Sequence, residues 1–445
     1  MANTRTNRFL NQAVLEDGVR SPHFFNGRLL SGEDLSLDQQ SIRELRRRTG
    51  QALGEGVANG LEVYETTGVS TRQAPVVTVT AGLAVNRQGT TLYLGSDVDL
   101  QLAPPTAAQA AATAATSAAA FQPCQPGQVG TYIFSAGVYL LTIMPAQASE
   151  GRAPVSGLGN ADAGACNARN DVEAVQFQLI ALDPVLDIKM TPDEFADADH
   201  LRNRLAYRCF GFDANDALYS DPFGPPIVAH GLMDALRPNR LPVCNVPLAL
   251  IYWSAAGGIE FIDVWSVRRG LVSPDPSRAD SPTESQRWSL LLSDRRRKES
   301  EAMFLQFQNQ VNDLRARVVN PQNILASQVF DILPPLGFLP VISSTSPGGF
   351  DLKTFFGGTL SWDIATIDAN RLRGLTQEAL AYDPIRLQSV EKIQIYIPYE
   401  NLQAVNAGSS AQLAAVFASP ALPYRGSARF DYARFDLGRF AAQPL

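Results

Sequence analysis

The residues best suited to chemistry are few in this sequence. Its three histidines, His23, His200 and His230, lie far apart and match no catalytic or metal-binding spacing. One of them, His200, follows the acidic segments Asp193-Glu194 and Asp197-Ala198-Asp199. A histidine beside carboxylates is a candidate general base, but no partner motif follows, and carboxylates are also favoured at the positive end of a helix dipole. We therefore expect an acidic helix start here and a structural role for each histidine.

The common motifs of phosphate, nucleophile and calcium chemistry are absent from the sequence. It contains no G-x-x-x-x-G-K-[ST] loop, no G-x-G-x-x-G after a strand-like segment, no G-x-S-x-G elbow and no Asp-rich calcium loop. Two carboxylates distant in sequence could still hydrolyse a glycan, because that arrangement leaves no local motif. We expect no enzymatic activity, no metal and no cofactor, with a glycan hydrolase as the least favoured alternative.

The four cysteines are Cys124, Cys166, Cys209 and Cys244. None belongs to a C-x-x-C pair, and their spacings fit no common zinc pattern. Free thiols in a reducing cytosol are the simplest expectation. A disulfide between Cys124 and Cys166 is the alternative.

Composition and charge restrict the class of protein. A chain of 445 residues is long enough for about two to four domains. Charged residues make up 18%, below the usual ~25% of soluble domains, and the 29 Pro and 33 Gly indicate a loop-rich, β-rich chain. The net charge of -7 argues against nucleic-acid binding, which needs a basic face. The basic runs at 46–48 and 295–298 lie in predicted helices and are read as solvated or interfacial faces.

The amino terminus and the hydropathy pattern predict where the chain is made. Residues 1–12 contain no apolar signal core, and no apolar run approaches the ~20 residues of a membrane-spanning helix. We expect cytoplasmic synthesis and folding, and membrane contact that is only indirect or at the surface.

Elements that position these residues follow from periodicity. Ser31 can cap a helix that carries Leu35, Ile42, Leu45 and Leu53 at helical spacing and ends at Gly54 and Gly56. Segments typical of strands flank residues 86–89 and residues 255–258, and each pair predicts a hairpin around that turn. The expected class is α+β and multi-domain, with small antiparallel β modules, sandwich- or barrel-like, an N-terminal helix and a long central helix.

Shifts in composition divide the chain into segments. They are an N-terminal arm and helix (1–56), a small β module (57–105), an Ala-rich linker (106–120), a second β-rich module (121–272), a hinge and long helix (273–322), and a C-terminal β-rich domain with an aromatic tail (323–445). The long helix is expected from about Pro282 to Val319.

Several short segments together resemble a known group of proteins. They are His23 to Leu35 followed by Gln39-Gln40, Gly56 to Val63, Ala81 to Gly89, Phe261-Ile262-Asp263 with Val267-Arg268-Arg269, and Leu333 to Pro340. The pattern resembles proteins of contractile phage tails and of phage-tail-like contractile injection systems. The resemblance implies a structural subunit in or around a baseplate, acting as scaffold or anchor and assembled into a particle in the cytoplasm, at a membrane or after release. A tail-fibre or receptor- and glycan-binding module is the alternative, with Trp253, Trp265 and Trp362 as an aromatic patch or as core residues.

The expected partners are other subunits of the same particle, including further copies of this chain. The candidate interface residues form an arm, a helical seam spaced 3, 4, 3 and 4, and a tail: Phe24, Phe25, Asn26, Gly27, Arg28 and Leu29; Phe304, Phe307, Val311, Leu314 and Val318; Phe430, Tyr432 and Phe435. For the arm, a turn packed on its own domain is the alternative. For the tail, packing on its own domain is equally open.

Overall fold

The computed structural model describes most of the chain. The described residues are 19–105, 122–123, 132–150, 169–191, 195, 197–211, 230–272, 294–343, 348–357, 361–389 and 392–422, without the side chains of 122–123, 148–150, 294 and 361–363. Helices and several small, mostly antiparallel sheets share this part of the chain, which confirms the α+β class. None of the helices described is both long and apolar enough to cross a bilayer.

The helices of the described part differ widely in length. They are α1 (Gly32–Leu53), α2 (Ala198–Phe210), α3 (Leu232–Leu236), α4 (Asp294–Arg317), α5 (Leu352–Phe356), α6 (Ala369–Ala379) and α7 (Tyr399–Asn406). The predicted start of α1 is confirmed, because Ser31 and Asp34 form a reciprocal capping box. Its predicted end is also confirmed, since the chain leaves the helix at Gly54 with φ +96. The long central helix is α4, and residues 282–293 of its predicted span lie outside the described residues.

The strands of the amino-terminal part build three sheets. They are β1 (Gly56–Gly60), β2 (Val63–Glu65), β3 (Val76–Val79), β4 (Gly82–Val85), β5 (Thr91–Leu94), β6 (Val98–Gln101), β7 (Gln122–Pro123), β8 (Gly137–Glu150), β9 (Asn170–Leu182), β10 (Val246–Ser254) and β11 (Gly258–Asp263). The sheet orders are β1-β4-β5, β2-β3-β6 and β11-β10-β8-β7, with β9 also paired to β8. The predicted hairpins β4–β5 and β10–β11 are confirmed as antiparallel pairs.

One apolar core contains residues from both the small β module (57–105) and the second β-rich module (121–272), which the sequence analysis had separated by the segment 106–120. Val57, Val79 and Leu92 from the small sheets lie in the same cluster as Leu141 and Ile251 from the large sheet. The segment boundary therefore does not coincide with a boundary between cores.

The other face of the large sheet carries helices. Leu140 and Leu250 point to this side and pack with Leu201 and Leu205 of α2 and Leu236 of α3. Because β8 and β10 are covered on both faces, their sequences are nearly continuous apolar runs rather than alternating ones.

The carboxy-terminal part is organised around α4. Its strands are β12 (Ile332–Leu333), β13 (Leu336–Pro340), β14 (Ser361–Ile367), β15 (Ile385–Arg386), β16 (Lys392–Pro398) and β17 (Ala414–Ala418). The main sheet has the order β13-β17-β16-β14. This sheet is mixed and departs from the expected antiparallel arrangement at one pair, because β14 and β16 are parallel while β13, β17 and β16 pair antiparallel. Helix α6 lies between them in sequence and supplies the crossover that a parallel pair requires.

A buried polar network ties α2, β11 and α4 together. The Arg202 guanidinium donates from Nε to Asp263 at 3.0 Å, and from its two terminal nitrogens to Asp313 at 2.7 Å and Asn309 at 2.6 Å. Gln306 Nε2 donates to the same Asp263 carboxylate at 2.9 Å. These contacts join the amino-terminal sheets to the carboxy-terminal part.

Cysteine chemistry departs from the expectation of four free thiols. Cys209 is a buried free thiol, whereas Cys244 is disulfide-bonded. The expectation is therefore wrong for Cys244, because spacing in the sequence does not reveal which cysteines the fold brings together. Cys124 and Cys166 lie outside the described residues.

Candidate interaction surface

The arm, residues 19–31, presents its large apolar side chains to solvent. Phe25 is 61% exposed and Leu29 93% exposed, and Phe24 is also exposed. Asn26 and Gly27 form the predicted turn, which is closed by a bond from the Arg28 amide to the Phe25 carbonyl at 3.1 Å. Gly27 has φ +92, a conformation that glycine adopts without a steric cost. The alternative of a turn buried on its own domain is therefore not what the structure shows.

Arg28 fixes the arm to the start of α1. Its guanidinium donates to the His23 carbonyl at 2.6 Å and to the Asp34 carboxylate. The hydrogen bonds from the backbone and side chain of Ser31, together with Arg28, lower the pKa of Asp34. Because the arm is held at both ends of its turn, its exposed aromatic rings have a defined place beside the helix.

The outer face of α1 is apolar and faces away from the core. We define it by Leu35, Ile42, Leu45 and Leu53, all of which are exposed. A helix of a globular protein normally buries such a stripe. In α1 the buried residues are instead Ser41 and Gly50.

Polar contacts and one close backbone approach attach α1 to the β4–β5 turn. A Cβ atom on Gly50 would lie 2.1 Å from the Gly89 carbonyl oxygen. Arg47 donates to the Gln88 carbonyl at 3.3 Å and, with Arg48, to the Glu44 carboxylate. Hydrogen bonds from these two arginines lower the pKa of Glu44 to about 2. The polar side of the helix thus meets the body of the protein.

The arm and α1 together hold an unusual share of exposed apolar surface. In the described part of the chain, twenty large hydrophobic side chains are exposed, and nine of them lie between residues 24 and 53. We call these nine the N-terminal apolar surface: Phe24, Phe25, Leu29, Leu30, Leu35, Leu37, Ile42, Leu45 and Leu53. A concentration of exposed apolar side chains in one part of a protein is typical of a site of interaction.

The helical seam on α4 is not part of an exposed surface. Phe307, Val311 and Leu314 are at most 2% exposed and lie in the core of the carboxy-terminal part. Phe304 packs edge-on against Phe338 with ring centroids 5.9 Å apart, and Val318 packs against the same core. The expectation that Phe307, Val311 and Leu314 contact another chain is therefore wrong, whereas for the partly exposed Phe304 and Val318 it stays a prediction. The 3-4 spacing identifies an apolar helix face, but not whether its partner lies in the same chain.

The remaining candidates are placed as follows. Phe430, Tyr432 and Phe435 lie outside the described residues. Trp253 donates to the Arg72 carbonyl at 3.2 Å, and Trp265 stacks under Arg268 at 5.3 Å; both rings pack against the amino-terminal core. The side chain of Trp362 is outside the described part.

The acidic segment before His200 starts a helix, as expected. Asp197 caps α2 by accepting from the amides of Asp199 and His200. The His200 ring lies 3.0 Å from the Asp197 carboxylate and 3.0 Å from the Ser327 carbonyl. Asp193 and Glu194 lie outside the described residues.

A partly open, charged cavity that the sequence did not predict lies between α3, α4 and the segment that follows α1. Its volume is about 70 Å³, and its charged lining consists of Glu55, Arg87, Asp234, Arg237, Arg269, Arg295 and Glu299. Arg295 bonds Asp234 at 2.7 Å and Glu299 at 2.8 Å, while Arg87 bonds Glu55 at 2.7 Å. These residues are far apart in sequence, and no local pattern predicts that they meet.

Side chains of opposite charge lie in contact in this cavity. Burial alone would raise the pKa of Glu299, but the charges of His230 and Arg295 outweigh burial and lower that pKa to about 2. Burial raises the pKa of the Cys209 thiol to about 12, so this thiol is protonated at neutral pH. The cluster is thus arranged as a set of ion pairs that hold helices together.

Neither comparison with known proteins gives a match. No protein-family model matches the chain, and no curated protein matches it significantly. Within the residues that the structure describes, no group of three or more His, Cys, Asp or Glu side chains is placed to hold a metal ion.

Proposed function

We propose that this chain is a structural subunit of a contractile injection system or phage-tail-like particle, in or around the baseplate. It acts as a scaffold or anchor through protein–protein contacts. The observation that carries the proposal is the N-terminal apolar surface. Five of its nine residues lie within the segment from His23 to Leu35, which also carries the resemblance to proteins of such particles.

The apolar area supports a contact with another protein. Fully burying a Leu, Ile or Phe side chain is worth about 1.5–3 kcal/mol. Completing the burial of nine partly exposed side chains therefore contributes on the order of 10 kcal/mol, which offsets typical costs of association. Such a surface fits a specific interface of more than about 1,000 Å² in total.

The receptor-binding alternative finds less support. Trp253 and Trp265 are only partly exposed and both pack against the amino-terminal core, so less of either ring is open to a glycan than an aromatic platform needs. The scaffold function is therefore the one we favour, with no catalytic activity.

Incorporation into particles tests this function. We would purify particles that contain sheath, tube and baseplate proteins from the native host, in which the tagged chain or one of its variants is expressed. The wild-type chain should co-purify, while Leu29→Ser and Leu45→Ser should lower its occupancy at least tenfold, because each removes apolar contact area. Leu186→Ser changes an equally exposed leucine elsewhere and should have no effect. Absence of the wild-type chain from particles, or normal incorporation of both arm and helix variants, would exclude the proposal.

A further inference from the structure

The outer face of α1 carries a seam suited to pairing with another helix. Positions 35, 38, 42, 45, 49 and 52 follow the 3-4 spacing of a heptad, occupied by Leu, Asp, Ile, Leu, Thr and Ala. At 1.5 Å per residue, the helix is about 33 Å long, enough for three heptads. Its apolar members are exposed, so the seam lacks a partner within the described chain.

Charge is distributed unevenly along α1. The first half carries Glu33, Asp34 and Asp38, and the second half carries Arg43, Arg46 and Arg48. Glu44 in the second half forms ion pairs with Arg47 and Arg48, and Asp34 forms an ion pair with Arg28. Asp38, at a seam position, and Arg46, beside the seam, form no ion pair with any residue of the described chain. The helix is thus acidic at one end and basic at the other.

We propose that a second copy of this chain binds through α1, with the two helices antiparallel about a two-fold axis near Ile42. This inference rests on the proposed function and names one partner of the same surface. Asp38 and Arg46 lie the same number of residues on either side of Ile42. Antiparallel pairing therefore brings Asp38 of each copy to Arg46 of the other, while parallel pairing brings like charges together.

Two further physical effects favour this arrangement. Opposed helix dipoles attract, which stabilises antiparallel neighbours. A two-fold contact uses the same patch on both copies, and the charges of Asp38 and Arg46 make α1 complementary to itself. A polar residue at one seam position, here Asp38, is the usual means of fixing register.

A charge-reversal cycle on the full-length chain tests the pairing. Asp38→Lys and Arg46→Glu each replace two attractive contacts by two repulsive ones, and each should raise the self-association Kd roughly tenfold at low ionic strength. An equimolar mixture of the two variants should associate as the wild type does, and so should the double variant D38K/R46E. Sedimentation equilibrium measures the Kd of the wild type, of each single variant, of their mixture and of the double variant. Arg373→Glu, an exposed arginine on α6, is the matched control and should leave Kd unchanged.

The outcomes separate this inference from the function it rests on. A chain that stays monomeric, or single variants that associate like the wild type, would overturn the pairing. If such a chain still enters particles and Leu29→Ser still expels it, the proposed function stands without the pairing. If the charge cycle behaves as expected but the chain never enters particles, the pairing stands and the proposed function fails.

Discussion

Glu299 is the residue on which the buried charge cluster depends. Its side chain is 3% exposed, and it accepts from Arg295 at 2.8 Å while lying 3.4 Å from the His230 ring. A buried carboxylate is tolerated only with such partners, since desolvation of an unpaired charge is costly. The cluster is therefore sensitive both to loss of this carboxylate and to its protonation.

The lowered pKa of Glu299 makes stability depend on pH in a defined direction. Its folded-state pKa of about 2 lies below the ordinary 4.5, so its contribution is present above pH 4.5 and is lost as pH falls toward 2. The contribution is on the order of 3 kcal/mol. Glu299→Gln should lower the free energy of unfolding by about 3–5 kcal/mol at neutral pH and flatten the acid limb, because it leaves buried Arg295 undercompensated.

Urea denaturation across that pH range measures both effects. Glu301→Gln, on the same helix but paired only at the surface with Lys298, is the control and should cost less than about 1 kcal/mol. An acid limb of unchanged steepness in Glu299→Gln would contradict this account.

At the scale of elements, α1 depends on its contact with the β4–β5 turn. Gly50→Ala places a Cβ 2.1 Å from the Gly89 carbonyl, and neither backbone can move cheaply. We expect a loss of about 1–3 kcal/mol and faster amide exchange throughout α1, because the helix must move off the turn. Hydrogen exchange with mass spectrometry measures this directly.

Gly32→Ala is the matched control on the same helix. Its Cβ would meet nothing within 4 Å, so the higher helix propensity of alanine should leave stability unchanged or raise it by up to about 1 kcal/mol. Equal exchange rates in the two variants would show that the Gly50–Gly89 contact does not hold α1.

At the scale of the whole molecule, Arg202 links the two parts of the chain. Arg202→Met removes the partner of Asp263, whose side chain is 2% exposed, and should lower the free energy of unfolding by about 3–5 kcal/mol. Arg317→Met breaks the exposed pair with Asp199 and should cost less than about 1 kcal/mol. Calorimetry would also show whether the amino- and carboxy-terminal parts then unfold separately; equal stability of both variants would contradict the linking role.

The sequence was informative wherever the signal was local. Ser31 and Gly54 bound α1, and the segments around Gly89 and Gly257 form the predicted hairpins, because caps and turns depend on neighbouring residues. The turn at Asn26 and Gly27 was also predictable, but the exposure of Phe24 and Phe25 was not, because the sequence left a turn packed on its own domain open.

Long-range arrangements were not predictable. The seam of Phe307 and Val311 has its partner in Phe330 and Phe417, which only the fold brings near. Three other features were unpredictable for the same reason: the parallel pairing of β14 with β16, the core shared across 106–120, and the ion pairs around Arg295. Each depends on contacts between residues distant in the chain.

One backbone pairing described by the structure has a consequence during synthesis. The Val57 amide bonds the Arg269 carbonyl at 2.9 Å, and the Val272 amide bonds the Glu55 carbonyl at 2.9 Å. At typical translation rates of 5–20 residues per second, roughly 10–40 s pass between the emergence of these partners. During that interval the leucines of α1 have already been synthesised, while the other edge of β1 still lacks its contacts with residues 269–272. The leucines of neighbouring nascent chains on the same messenger RNA can associate with one another during this time. The yield of correctly folded protein should therefore depend on the rate of elongation and on the supply of chaperones.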